Sequence, residues 1–356
     1  MLNNPFIEFL LFIIVLIKFA IRRCVCKLKS KKNIFLKSVF KEKDVIYSIH
    51  EGFQKLGKNL CVFSFYQPNG LKKTTIEYLR HLNEDCDYSI CLISTSKIND
   101  KDLEVLKKYC FEIIIKSNTG YDFGSYKLGV LRYEHKKDEL ENILIANDSV
   151  IAPLFSMKES FRKMNEENKC DFWGIGDNCY KLDHHIISCF MNCKKSIVQS
   201  DVLFNFFQKY NPLNDREYTI HHGEIYMSKY FYKHGFHSDA LVSCNKIFSA
   251  IQGNKDILFK NQSILSNNFI LRSMQFSNKF SQEINNVLTD QYFHYFHLIL
   301  IKEFKLPFIK RDCIGKKGLP GLYNMFKEYQ LAYVLDNIQI ETNITKEDIL
   351  LEFRQR

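Results

Sequence analysis

From Asn59 onward the chain alternates short apolar runs with amphipathic stretches, the pattern of strand-helix-strand units that close a parallel sheet. It predicts strands at 60–65, 88–93, 112–115 and 142–146, with helices between them at 72–82, 100–109 and 121–134. The strand runs are apolar throughout, as strands covered on both faces must be. Beyond Pro153 the pattern gives a helix at 157–165, a strand ending in 171–174, a poorly alternating segment at 186–192, and helices at 202–210 and 224–234. After residue 250 the periodicity weakens. There 291–302 reads as a helix, 305–320 as a basic loop, and Thr345 caps a final helix with Asp348 three residues on.

Ahead of this pattern stands an apolar run, 5–21, that at about 1.5 Å per residue spans most of a bilayer core. Glu8 and Lys18 lie near its two ends, where each can reach an interface. No basic region precedes the run and no small-x-small site follows it, so an uncleaved anchor over 1–21 is expected rather than a signal peptide. An interfacial helix is the competing reading. The segment 22–58 that follows is expected to be a basic juxtamembrane stretch. The positive-inside rule then puts everything after Arg22 in the cytoplasm.

Composition is that of an ordinary globular chain: 46% apolar and 25% charged residues over 356 positions exclude wholesale disorder. The formal charge of +10 does not point to nucleic acid, because it is concentrated in the lysines and arginines from Arg22 to Lys43, which face only Glu42. Such a stretch beside an apolar run suits anionic headgroups. The 12 cysteines are irregularly spaced, and a cytoplasmic placement keeps them reduced, mostly as small buried hydrophobes.

Three stretches place a carboxylate beside glycine, asparagine or serine at a predicted strand end, where an open α/β sheet puts its ligands. In 118–124, Asn-Thr-Gly-Tyr-Asp-Phe-Gly, Gly120 lets backbone approach a ligand and Asp122 can accept from a base or ribose hydroxyl. The alternative is helix capping by Asn118, Thr119 or Asp122. Asn147, Asp148 and Ser149 end the central strand with hard oxygen ligands suited to Mg²⁺ or Mn²⁺ beside a diphosphate, or else form an Asx-turn. Asp171 and Trp173, the only tryptophan, offer an acid and an apolar wall for a sugar ring, or core packing. Farther on, His221, His222 and Glu224 precede a helix that Gly235 would close, so Glu224 is a candidate general base favoured by the helix dipole. A zinc site from these histidines with His184 and His185 lacks the usual i, i+4 spacing.

These stretches, with His185, Ser188 and Phe190, then Glu224, Ser228 and Gly235, and the run Leu306-Pro-Phe-Ile-Lys-Arg311, resemble in order the rhamnan synthesis F family. The resemblance covers roughly residues 59 to 320 and implies a GT-A-like α/β fold, a mostly parallel twisted sheet flanked by helices. On this reading 59–250 is the nucleotide-sugar and acceptor domain and 251–356 a helical region packed on it. It implies transfer of a deoxyhexose, typically L-rhamnose, from a nucleoside-diphosphate sugar to a cell-surface polysaccharide or lipid-linked glycan. Asp148 takes the diphosphate and metal role, Asp122 the nucleotide role and Glu224 the base role. Asn118, Gly120, Asn147, Ser149, Asp171, Trp173, His185, Lys310 and Arg311 complete the implied binding set. Two features depart from the family pattern: Asn147-Asp148-Ser149 has no second acid, and Ile187 and Cys189 stand where a glutamine and an aromatic are usual. A non-catalytic, membrane-tethered glycan- or nucleotide-binding subunit is the alternative from another class.

Overall fold

A computed structural model describes residues 44–178, 184–254, 256–261, 292–314 and 321–354. The expected anchor, 1–21, and the basic residues up to 43 lie outside the described residues. Among the described residues no helix is long and apolar enough to cross a membrane.

The strands are β1 (Ile46–Glu51), β2 (Asn59–Phe65), β3 (Ser89–Ser94), β4 (Cys110–Lys116), β5 (Asn142–Asn147), β6 (Val150–Ile151), β7 (Phe172–Asn178), β8 (His185–Ile186), β9 (Phe190–Lys194), β10 (Ser238–Val242) and β11 (Ile309–Lys310). One sheet runs β1-β4-β3-β2-β5-β9-β7-β10, with β8 paired to β7, while β6 and β11 form a separate pair. The four predicted strands are all present and mutually parallel as β4-β3-β2-β5. Around them the sheet is mixed, because β1 joins β4, and β9 joins both β5 and β7, antiparallel.

Alternation along β2 shows why these runs are apolar throughout. Leu60 and Val62 face one apolar cluster with Phe123, Tyr126 and Phe204, whereas Cys61 and Phe63 face the other with Tyr78, Trp173 and Phe190. Fully burying each such side chain contributes roughly 1.5–3 kcal/mol. The helix Tyr121–Arg132 lies so close on β2 that a Cβ at Gly129 would stand 2.4 Å from Val62 Cγ1.

Three expectations are corrected. The segment 22–58 is not all juxtamembrane, since Ile46–Glu51 is a strand of the sheet. From the region beyond 250, Phe308 packs on Tyr78 and Phe190, with ring centroids 6.0 and 5.3 Å apart. The stretch expected as a basic loop contains β11 and the helix Arg311–Ile314, because pairing with β6 satisfies its backbone. Residues 171–174 begin β7 rather than end a strand. The final helix, Lys346–Arg354, has the reciprocal cap read from sequence: Asp348 N donates to Thr345 Oγ1 at 3.1 Å and Thr345 N to Asp348 Oδ2 at 2.8 Å.

Candidate active site

At the carboxyl ends of the parallel strands opens a cleft of about 520 Å³. Its walls come from the residues just past β2, β3, β4 and β5, respectively Tyr66, Thr95, Asn118 and Asp148, together with Asp122, Glu224 and Lys310.

Asp122 arrives through the turn after β4. Gly120 sits at φ +78°, in the left-handed region, with a Cβ position only 2.3 Å from Pro212 Cβ, so glycine alone fits this turn. Its N–H donates to Asn214 Oδ1 at 2.6 Å. Below the turn, buried Lys116 donates to the Ser117 and Thr119 carbonyls at 3.0 and 3.1 Å. The helix Tyr121–Arg132 therefore starts without a side-chain cap. Asp122 instead accepts from Phe123 N at 3.0 Å and, through Oδ2, from Asn147 Nδ2 at 2.9 Å. That second bond joins two sequence motifs 25 residues apart.

Asn147 also makes the Asx-type turn, its Oδ1 accepting from Ser149 N at 3.0 Å and Ser149 Oγ at 2.5 Å. Asp148 Oδ2 accepts from Tyr66 N at 3.2 Å, and its carbonyl accepts from Arg311 Nε at 3.0 Å. Arg311 is thus a holder of the Asp148 backbone on a smaller neighbouring pocket, and it ion-pairs with Glu352. Lys310 is brought to the cleft by β11 and fixed by its N–H donating to His297 Nε2 at 2.8 Å.

Glu224 lies within a π-helical stretch, Thr219–Ile225, that runs into the helix Tyr226–Lys233. The expected dipole effect of a helix start is therefore not what holds it. Ser188 donates to Glu224 Oε2 from its N–H at 2.8 Å and its hydroxyl at 2.5 Å, and His185 Nε2 lies 3.6 Å from Oε1. Ser228 in turn accepts from Ile186 N at 3.1 Å and so fixes the backbone beside His185.

The two facing carboxylates are tuned apart. Burial, with the Glu224 charge nearby, raises Asp122 to about 6. Burial also pushes on Glu224, but His185, Lys310 and Ser188 outweigh it and hold the group down at about 2. Asp148 is raised by burial, and Lys310 is raised despite burial by Cys189, Glu224 and nearby acids.

Asp171 and Trp173 do not reach the cleft. β7 begins there, so both residues sit toward the opposite edge: Phe172 stands level, across β9, with Ile143 at the start of β5. Asp171 accepts from His237 N at 2.8 Å and Ser196 Oγ at 2.6 Å. Trp173 is wholly buried against Phe161 and Phe190, and its indole N–H donates to Asn165 Oδ1 at 2.8 Å. The histidines considered for zinc go to separate partners: His184 to Asp177, His185 to Glu224, His221 toward Glu217, and His222 stacked on Tyr218. Sequence reasoning missed Tyr66, Thr95, Arg216, Thr219 and Asp312 as cleft residues. Tyr66 directly follows the predicted strand 60–65 and Thr95 comes two residues after 88–93, within reach of the strand-end rule applied to every strand.

One acid with substrate phosphates is an ordinary arrangement for Mg²⁺. Asp148 fits that part, whereas no group of three acids, histidines or cysteines among the described residues forms a self-sufficient metal cage.

Compared with known proteins, residues 90–292 match the family described as rhamnan synthesis protein F. The uncharacterized protein y4gN of Sinorhizobium fredii (strain NBRC 101917 / NGR234) is 26% identical over 208 residues, 58% of this chain and 54% of its own. The chain thus spans about half the length of that relative. Virulence protein VirA of Vibrio anguillarum (strain ATCC 68554 / 775) is 25% identical over 242 residues, 63% of this chain and 69% of its own. Among solved structures, the glycosyltransferase GlyE of Streptococcus pneumoniae TIGR4 aligns with 84% of this chain and 64% of its own at 12% identity and a TM-score of 0.34. The mannosyltransferase Ktr4p of S. cerevisiae aligns over 51% and 69% at 10% identity and a TM-score of 0.27.

Proposed function

The chain belongs to the rhamnan synthesis protein F family, and on that footing we propose that it is a glycosyltransferase, moving a sugar from a nucleoside diphosphate to a cell-surface polysaccharide or lipid-linked glycan. The carrying observation is the convergence of Asp122, Asp148, Glu224 and Lys310 on one cleft. In this reading the acceptor hydroxyl lies against Glu224 and attacks the anomeric carbon. One C–O bond to the acceptor forms, the C–O bond to the diphosphate breaks, and the acceptor proton passes to Glu224. With its pKa held at about 2, Glu224 is deprotonated throughout the physiological range.

Ser188 and His185 position this carboxylate, and Asp122 accepts from a nucleotide or sugar hydroxyl. Lys310 receives the charge of the departing diphosphate. As it turns toward that charge it withdraws support from the Glu224 anion, whose proton affinity then rises as the proton arrives. Asp148 would hold a divalent cation entering with the diphosphate, and that ion would supply further charge neutralisation. Phe123, Cys189 and Ile220 give the cleft an apolar wall suited to the methyl group of a deoxyhexose such as rhamnose. The N-terminal run and basic stretch would keep the domain at the cytoplasmic face of a membrane.

Turnover of nucleotide sugars by purified chain tests the proposal. Glu224→Gln is expected to lower kcat by about 10²–10⁴ with donor affinity retained, and Asp148→Ala to weaken donor binding. Unchanged turnover in both variants removes the mechanism. Tight nucleotide binding without any turnover in the wild-type chain favours the non-catalytic subunit, the reading that the missing second acid at Ser149 supports.

A further inference from the structure

Lys116 is a buried charge that the transfer chemistry leaves without a role. It ends β4, and its side chain lies wholly inside the fold under the first turn of the helix Tyr121–Arg132. A Cβ at Gly124 in that turn would stand 3.7 Å from Lys116 Nζ. The amino end of a helix carries partial positive charge, so the dipole disfavours an ammonium there.

An ammonium has three donors, and here each meets an oxygen: the Ser117 carbonyl at 3.0 Å, the Thr119 carbonyl at 3.1 Å and Asp44 Oδ1 at 3.0 Å. Stability alone does not explain such a set, because replacing a buried ion pair by apolar residues of similar volume is often neutral or stabilising. Its effect is geometric. The two carbonyls bracket Asn118 of the cleft wall, and the chain then passes through Gly120 and Tyr121, at φ +78° and +52°, to Asp122. A tyrosine in the left-handed region persists only where its surroundings impose that conformation. The start of β1 is tied to the same turn: Val45 N donates to Ser117 Oγ at 3.0 Å, Ser117 N to the Val45 carbonyl at 2.8 Å, and Ser117 Oγ to Asp44 Oδ1 at 3.0 Å.

We propose that Lys116, with Asp44 as its counter-ion, is a positioning residue for the donor, fixing the turn 117–121 that presents Asn118 and Asp122 to the nucleotide. The inference rests on the transferase reading, in which this wall of the cleft receives the nucleoside diphosphate. Lys116 acts through the turn and touches no substrate. Without its ammonium the turn relaxes and Asp122 loses its aim, while Glu224 and Lys310 keep theirs through Ser188, His185 and β11. Burial pulls the ammonium below the ordinary lysine range, and the Asp44 carboxylate opposes that shift. Asp122, on the helix above, is turned instead to Asn147 and Phe123.

Calorimetric binding of uridine, thymidine, guanosine and cytidine diphosphates to the full chain tests the proposal, beside donor kinetics and melting. Lys116→Met, similar in length and uncharged, is expected to melt cooperatively and to raise the Kd and donor KM of the preferred nucleotide about tenfold. Its kcat is expected to change by less than about twofold. Asp44→Asn, at a side chain 38% exposed, carries the test if Lys116→Met does not fold. It is expected to match the wild type near pH 6 and, as pH rises, to lose affinity at a lower pH than the wild type does. An unchanged Kd in Lys116→Met overturns the proposal, as do superimposable pH profiles of the wild type and Asp44→Asn. Equal losses in kcat and affinity also overturn it, since they mark a general loosening of the cleft. A wild-type chain that binds no nucleoside diphosphate fails the transferase reading itself, and the inference falls with it.

Discussion

Asp122 and Glu224 show at the residue scale how one cleft gives two carboxylates different work. Each is half-buried, but Glu224 is surrounded by Ser188, His185 and Lys310, whereas Asp122 has an amide, its neighbour's N–H and a like charge. The folded pKa of Asp122 is raised above its unfolded value near 3.8. Folding therefore binds a proton between that value and about 6, and stability falls as pH rises through this window. Glu224 acts with the opposite sign: its contribution is present above about 4.5 and is lost as pH falls toward 2. Asp122→Asn is accordingly expected to raise the melting temperature at pH 7, with the gain vanishing below about pH 4. The acid limb of kcat/KM near pH 6 should disappear in the same variant. A scan of melting temperature and rate against pH checks both. The sequence made Asp122 visible as an acid beside glycine; it held no sign of the Asn147 bond that aims it.

The element scale explains both the misplaced residues and the stability of the site. Asp171 and Trp173 were misread because an apolar run shows where a strand lies without showing which end meets the cleft. The strand starts at these residues, and two antiparallel steps through β9 leave β7 parallel to β5, so its start lies away from the cleft. The last helix, Lys346–Arg354, illustrates the reverse case, a remote element that serves the site. Buried Glu352 takes Thr74 Oγ1, Lys72 Nζ at 3.4 Å and the Arg311 guanidinium, and Arg311 holds the Asp148 carbonyl. Neutralising that carboxylate removes a buried negative charge that faces two cations. Glu352→Gln is expected to cost on the order of 2–3 kcal/mol in chemical denaturation and to raise the donor KM more than it lowers kcat. An unchanged KM would show that the helix supports the fold without reaching Asp148.

For the molecule as a whole, the sheet and the C-terminal helices share one core, and the cleft needs both. Tyr292, Leu298, Phe308 and Ile349 belong to the same apolar cluster as Phe63, Trp173 and Phe190. A chain ended after Asn254 would expose that face and lose Lys310 and Asp312 from the cleft. It is expected to bind a hydrophobic dye and to melt without a cooperative transition, as chains that have lost specific packing do. A cooperative melt with native-like dye binding would show that the residues before 255 fold without the C-terminal region.

Local pattern determined the parallel centre of the sheet, the reciprocal cap at Thr345 and Asp348, and the strand-end motifs at 118–124 and 147–149, because each depends on residues adjacent in the chain. Tertiary structure alone decided that Asn147 binds Asp122, that His185 and Ser188 hold Glu224, that Lys310 enters the cleft on β11, and that Trp173 is core. Those outcomes depend on strand order and direction, which pair segments far apart in the chain, and hydrophobic periodicity is the same whichever way a strand runs.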